Sequence, residues 1–322
     1  MAGVHPSVPS SPVSFGGLAT AWTPQPVALL IAVVALALYA RAAARTPGWR
    51  ARRTVSFGLG VALFVWTSCG FLELYGHALF WVWTVQALVL LLVVPVLVMA
   101  GQPLELARRR GARLGRFTDT PVGRILGSAV VGPLLVPAVT VALVFGPLAG
   151  WAVADPPVEW VVQFAVLLIG CAIALPLVTA STKATSMAVG LALVVGVFEL
   201  LIDAVPGFAL RFQTHLTTAW FDLRPAVDAT VGALAPIRDQ QRAGGIVWVV
   251  AELLDLPFVI LLFRQWIKAD ARDARSVDTV LDAEAIAHRA ARGEPERATE
   301  AVGDATAPWW ESDPRWGGRY RP

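Results

Sequence analysis

Charge is scarce in this chain, and so are the side chains that most often do chemistry. Of 322 residues only 15% are charged, against about 25% in a soluble globule. There are four histidines and two cysteines. Cys69 and Cys171 stand far apart and make neither a CxxC pair nor a disulfide framework. H-E-x-x-H, Walker, glycine-rich dinucleotide and G-x-S-x-G sequences are all missing, which excludes the familiar hydrolases and nucleotide-driven pumps. Residues 1–23 hold no Lys or Arg. No basic segment therefore precedes an apolar run, and a cleavable signal peptide is not expected.

Apolar sequence is abundant. Hydrophobic residues make up 56% of the chain, and the mean hydropathy is +0.63. A helix needs about 20 mostly apolar residues to cross the hydrocarbon core. Such runs occur at Pro24–Ala40, Thr54–Phe71, Ala78–Gly101, Arg124–Gly150, Val158–Ala180, Ser186–Val205 and Gly244–Phe263. They are continuous rather than alternating, so a β-barrel does not fit. The expected fold is all-α: a polytopic integral membrane protein of seven transmembrane helices. No repeat relates the two halves of the chain.

Arginine concentrates in alternate connections. The first holds Arg41, Arg45, Arg50, Arg52 and Arg53; the third holds Arg108, Arg109, Arg110, Arg113 and Arg116. Lys183 marks the fifth, and Arg264 and Lys268 follow the last span. The short turns near Glu73 and Asp155 have neither Lys nor Arg. The positive-inside rule puts the arginine-rich side in the cytoplasm of a bacterial plasma membrane, with the N-terminus outside and the C-terminus inside. The net charge of +3 reflects this bias and implies no nucleic-acid partner. Three regions are expected: a flexible external N-terminus (1–23), the membrane domain (24–268) and a largely disordered cytoplasmic tail (269–322). Within the tail, Ala283–Arg292 has the pattern of a short helix.

Ionisable groups inside hydrocarbon are expensive and default to functional hypotheses. Glu199 and Asp203 share one face of span six, and Glu252 and Asp255 share one face of span seven. Gln86 lies within span three. Glu159 and Gln163 stand four apart at the start of span five, and His77 and Glu73 lie at the mouth of span three. His215 falls in the long connection before span seven. Three readings stay open for this set: a metal or proton site, polar glue between helices, and a surface for a partner. His77, His215 and Glu159 are the metal-ligand candidates. Gln86, Glu199, Asp203, Asp239, Gln240, Glu252 and Asp255 are the structural or partner-facing ones. Asp239 is expected to cap span seven from in front of the helix. Pro95, Pro133, Pro137 and Pro176 predict breaks or kinks.

Two segments carry a family resemblance. V-P-V-L-V-M-A-G-Q-P at Val94–Pro103 resembles the proline-containing helix end of the CtaG-type cytochrome c oxidase assembly family. D-Q-Q-R-A-G-G-I-V-W at Asp239–Trp248 resembles the start of that family's last helix, and F-R-Q-W-I-K-A-D at Phe263–Asp270 its end. Pro147–Pro176 matches the spacing of a family block, and Glu199–Gly207 is similar to the actinobacterial type. The resemblance implies seven helices, no catalysis, and a role in maturing the copper centre of a respiratory haem–copper oxidase. It implies oxidase subunits and periplasmic-side copper chaperones as partners, besides the lipid bilayer. It also places the family's usual histidines at Trp83, Ala87, Phe145, Glu159 and Gln163, none of which is a histidine here. Copper as a bound species is therefore an expectation of the family that this sequence does not repeat. A transporter of a metal ion or small solute is the alternative, motivated by the prolines and by Glu252 and Asp255.

Overall fold

The apolar runs fold as helices, as a chain without water to satisfy its backbone must. The computed structural model describes residues 9, 13, 14, 16–126, 131–179, 186–226 and 234–291. After a single turn, α1 (Gly17–Thr20), come α2 (Pro26–Ala44), α3 (Ala51–Cys69) and the short α4 (Phe71–Gly76). Then follow α5 (Phe80–Leu88), a π-helical turn over Val89–Val93, α6 (Val94–Ala100) and α7 (Pro103–Arg109). A 3₁₀ stretch (Arg113–Asp119) and α8 (Pro121–Leu126) lead to α9 (Val131–Val144), α10 (Leu148–Ala154) and α11 (Pro156–Thr179). The chain finishes with α12 (Ser186–Phe212), α13 (Trp220–Leu223) and α14 (Pro236–Ala291).

The protein is thus all-α and polytopic. Among the described residues, five helical spans are long and apolar enough to cross a bilayer, and a bent pair makes a sixth. The bent pair corrects the expected continuous run at Arg124–Gly150. Gly146 and Pro147 interrupt it, and α9 and α10 meet at 55°. Pro137 is carried inside α9 without ending it. α14 begins eight residues before the expected start of the last span and continues to Ala291, so the short helix expected at Ala283 is part of it. Lys183 and the tail aromatics Trp309, Trp310, Trp316 and Tyr320 lie outside the described residues.

The chain divides into two units, residues 1–266 and 267–322. The core of the first is built from α3, α6 and α11, with α2 packed on α3 and the π-turn packed on α11. Tyr39, Phe57, Phe64, Leu90, Leu91, Val94 and Val166 are buried there. Outward faces stay apolar: Leu30 and Leu38 on α2 and Val161 and Leu168 on α11 are each about two-thirds exposed, as lipid-facing side chains are. In the second unit, the described part of α14 is polar and exposed along most of its length.

Pro95 explains the π-turn. It has no N–H to give to the Leu91 carbonyl one turn earlier, and the helix widens just before it. α11 approaches this point through Gly170, where a Cβ would run into the Leu91 carbonyl and the Pro95 ring. At the arginine-bearing end, Tyr39 stacks on Phe57 (3.9 Å between ring centroids) and donates to the Gly101 carbonyl at 2.8 Å. Arg53 and Arg109 lie over the Trp49 ring at 4.7 and 5.6 Å.

Candidate functional site

The polar residues gather at the opposite end, where α3 stops. Gly70 turns the chain in a conformation whose Cβ would strike the Trp66 carbonyl. That turn starts α4, which brings Glu73 inward and ends at His77. α5 supplies Gln86, α11 supplies Glu159 and Gln163 one turn apart, and Gln25 precedes α2. Glu73 is 1% exposed and His77 5%.

The contacts form one network. Glu73 Oε2 accepts from Gln86 Nε2 at 2.7 Å and from Gln163 Nε2 at 3.1 Å. Glu73 Oε1 accepts from Gln25 Nε2 at 3.1 Å. Gln86 also donates to the Thr67 carbonyl at 3.3 Å, and Gln163 to Glu159 Oε1 at 3.4 Å. His77 Nδ1 faces the Glu73 carbonyl at 2.9 Å, and Nε2 faces Glu159 Oε2 at 3.2 Å. Both ring nitrogens therefore look at acceptors, which suits the imidazolium. Burial alone would lower the His77 pKa. The hydrogen bond that His77 donates to Glu159 and the charges of Glu159 and Glu73 outweigh it and push the value up to about 9.

Glu73, His77 and Glu159 place their ligand atoms within 4.8 Å of one another. The chemistry of this set does not fit copper(I), which selects thiolate and thioether. It offers one imidazole and two carboxylates, and amide N–H groups already occupy the carboxylate lone pairs. Cys69 is buried nearby as a free thiol, its backbone carbonyl taken by Thr23 N at 2.7 Å.

His215 does not join this group. It is exposed in the connection after α12, and its carbonyl accepts from Gln240 at 2.9 Å. Gln240 is fully buried and fastens that connection, accepting also from Thr217 N and Oγ1 at 2.9 and 3.2 Å. Asp203 is buried on α12. Glu252 is half-buried and accepts from Trp248 Nε1 at 3.4 Å on its own helix. The side chains of Glu199 and Asp255 fall outside the described residues.

Asp239 needs a correction. It lies inside the first turn of α14, not ahead of it. Its carboxylate leaves its own helix and accepts from Phe80 N and Trp81 N, both at 2.9 Å, at the start of α5. It therefore caps a helix 159 residues away in the chain. Burial raises its pKa, against the pull of those two N–H groups and of Arg224 and Arg242.

Residues 33–269 match the family described as cytochrome c oxidase caa3 assembly factor (Caa3_CtaG). The chain belongs to this family. It is a cytochrome c oxidase assembly factor and a multi-pass protein of the bacterial plasma membrane, with no enzymatic activity. No curated protein and no solved structure matches the chain.

In this assembly factor, Trp83 and Ala87 line a void of about 10 Å³ with Leu91, Leu143 and Val144, room for no more than one water. Phe145 packs against the same core. Apolar packing surrounds Trp83, Ala87 and Phe145, while Glu159 and Gln163 are buried polar residues of the network. The sequence reading did not single out Gln25 or Arg224. Arg224 donates to the Ala78 carbonyl at 3.0 Å and lies over Trp220 and Phe221. Glutamine one residue before a proline-started helix was the available signal for the first. The second had none, because its partner is a backbone carbonyl distant in sequence.

Proposed function

We propose that this assembly factor supports maturation of the oxidase copper centre through contact with oxidase subunits rather than by carrying copper itself. The hydrogen-bonded closure of Glu73, His77 and Glu159 carries this reading. A copper-transfer site needs free, preferably soft ligands, whereas here three glutamine amides donate into the carboxylates. The network instead ties α2, α4, α5 and α11 into a fixed end facing the oxidase or a copper chaperone. The altered residues at Trp83, Ala87, Phe145, Glu159 and Gln163 are read as loss of an imidazole site in an actinobacterial-type member.

The same reading takes the chain as seven spans. α2, α3 with α4, α5 to α7, α9 with α10, α11, α12 and the first part of α14 would each cross once. The N-terminus to residue 23 lies outside, the membrane domain runs over 24–268, and the tail from 269 lies in the cytoplasm. The lopsided arginine distribution supports this orientation.

Gene deletion followed by oxidase spectra, activity and copper content, with and without added copper, tests the role. The expected result is a copper-deficient oxidase that added copper does not fully restore. Titration of the purified protein against a competing Cu(I) chelator tests the mechanism, and weak or no binding is expected. A stoichiometric high-affinity site abolished by His77→Ala or His215→Ala would overturn it.

A further inference from the structure

A second polar feature lies beside the crossing of α12 and α14, and neither the assembly role nor the Glu73 network uses it. The two helices meet backbone to backbone. A Cβ at Gly207 would collide with Trp248 N, and one at Gly244 with the Arg211 backbone. Next to this crossing opens a cavity of about 550 Å³ walled by Arg211, Arg238, Arg242, Ile246 and Val249. All three arginines are exposed. Among the described residues no acid lines the cavity and none of the three forms a close ion pair, although Arg242 lies within the field of the buried Asp239 carboxylate. Gly245 leaves room for the Arg211 side chain to lie across α14, 3.6 Å from where a Cβ would stand.

These arginines need an explanation that the fold does not supply. Arg238 and Arg242 stand in the first two turns of α14, where the helix dipole disfavours a cation. They also stand at the end of the bundle away from Arg41–Arg53 and Arg108–Arg116. The positive-inside rule favours arginine on one side of the membrane only, so whichever way the protein is oriented it accounts for one set and not both. The level is that of a membrane surface, since the apolar span of α12 ends at Phe212, one residue past Arg211. Below the arginines the wall turns apolar and outward-facing: Val205, Phe208, Val249 and Leu253 are all exposed. A cationic rim above an exposed apolar face matches one kind of molecule, with an anionic head and hydrocarbon chains.

We infer that Arg211, Arg238 and Arg242 hold the phosphate headgroup of an anionic phospholipid at the α12–α14 crossing. The guanidinium groups fork onto phosphate oxygens, and the acyl chains run down the apolar faces of the two helices.

The test uses the full chain purified into nanodiscs of phosphatidylcholine with a minority of phosphatidylglycerol, with retained lipid read by native mass spectrometry. An arginine engaged with the bound headgroup is worth about a fivefold preference for anionic lipid, so Arg238→Gln/Arg242→Gln should lower retention of phosphatidylglycerol roughly 30-fold. Arg50→Gln/Arg52→Gln, at the other end, should leave it unchanged. If the double variant folds poorly, Arg211→Gln alone should give the fivefold loss. Equal retention in all variants would overturn the proposal, as would equal retention of phosphatidylcholine. Displacement of the lipid by inorganic phosphate at matching concentration would show that free phosphate, not lipid, is the ligand, and would overturn it too.

Discussion

Asp239 does for a distant helix what a capping residue ordinarily does for its own. At 1% exposure it has no water to fall back on, and the two amides it serves, one buried and one partly buried, would be left without this acceptor. Losing charge-assisted bonds of this kind costs about 1.5–3 kcal/mol, so Asp239→Ala should lower stability by roughly that amount. A thermal unfolding series of the purified protein checks it, and an unchanged midpoint would refute the capping role. His77 gives a pH dependence instead. Its folded pKa lies above the ordinary value of about 6.5. The stability it contributes is therefore complete below that pH and is lost as pH rises through about 9. His77→Gln should flatten the fall between those limits. A wild-type midpoint constant from pH 6.5 to 9 would contradict the ion pair with Glu159.

At the scale of elements, the central packing turns on three consecutive turns of helix. Pro95 removes one hydrogen bond, the π-turn at Val89–Val93 absorbs the change, and Gly170 lets α11 sit against the buried Leu91 carbonyl. Adding side-chain bulk there should cost about 1–3 kcal/mol, the usual penalty of overpacking. Gly170→Val is therefore expected to unfold at lower temperature than Gly170→Ala, and both below wild type. Pro95→Ala should restore the missing donor and allow a regular helix. Equal stability of the two Gly170 variants with wild type would mean that the helices do not meet here. Proline signalled a break in this run, but the sequence alone does not say whether a helix answers with a kink, an end or a widened turn. That depends on what packs against it. In the fourth run the break came from Gly146 and Pro147, not from Pro137, because two adjacent poor helix formers at the mouth of the bundle are harder to carry than one proline within it.

Across the whole molecule, the membrane class and most helices were legible because hydrocarbon imposes long apolar runs on any spanning segment. The pairing of Glu159 with His77 was not, since 82 residues separate them and only the packing of α11 on α6 and the π-turn brings them together. Gln163 and Gln86 were legible as polar residues in apolar helices, but their shared acceptor Glu73 was not. The arginines at 211, 224, 238 and 242 show where charge counting alone falls short. Arg224 is engaged with a carbonyl and two rings, and the other three line the α12–α14 cavity, where the proposed lipid headgroup rather than membrane polarity accounts for them. The short turns near Glu73 and Asp155 hold no Lys or Arg at all and remain the better witnesses of orientation. Reporter fusions after Arg53 and after Asp155 are therefore expected to fall on opposite sides, the first cytoplasmic and the second external. A fusion after Gln213 should join the second despite the arginines near it. Placement of Arg53 and Asp155 on the same side would remove the orientation. Placement of Gln213 with Arg53 would show that the later arginines, and not the short loops, govern how the last helices insert.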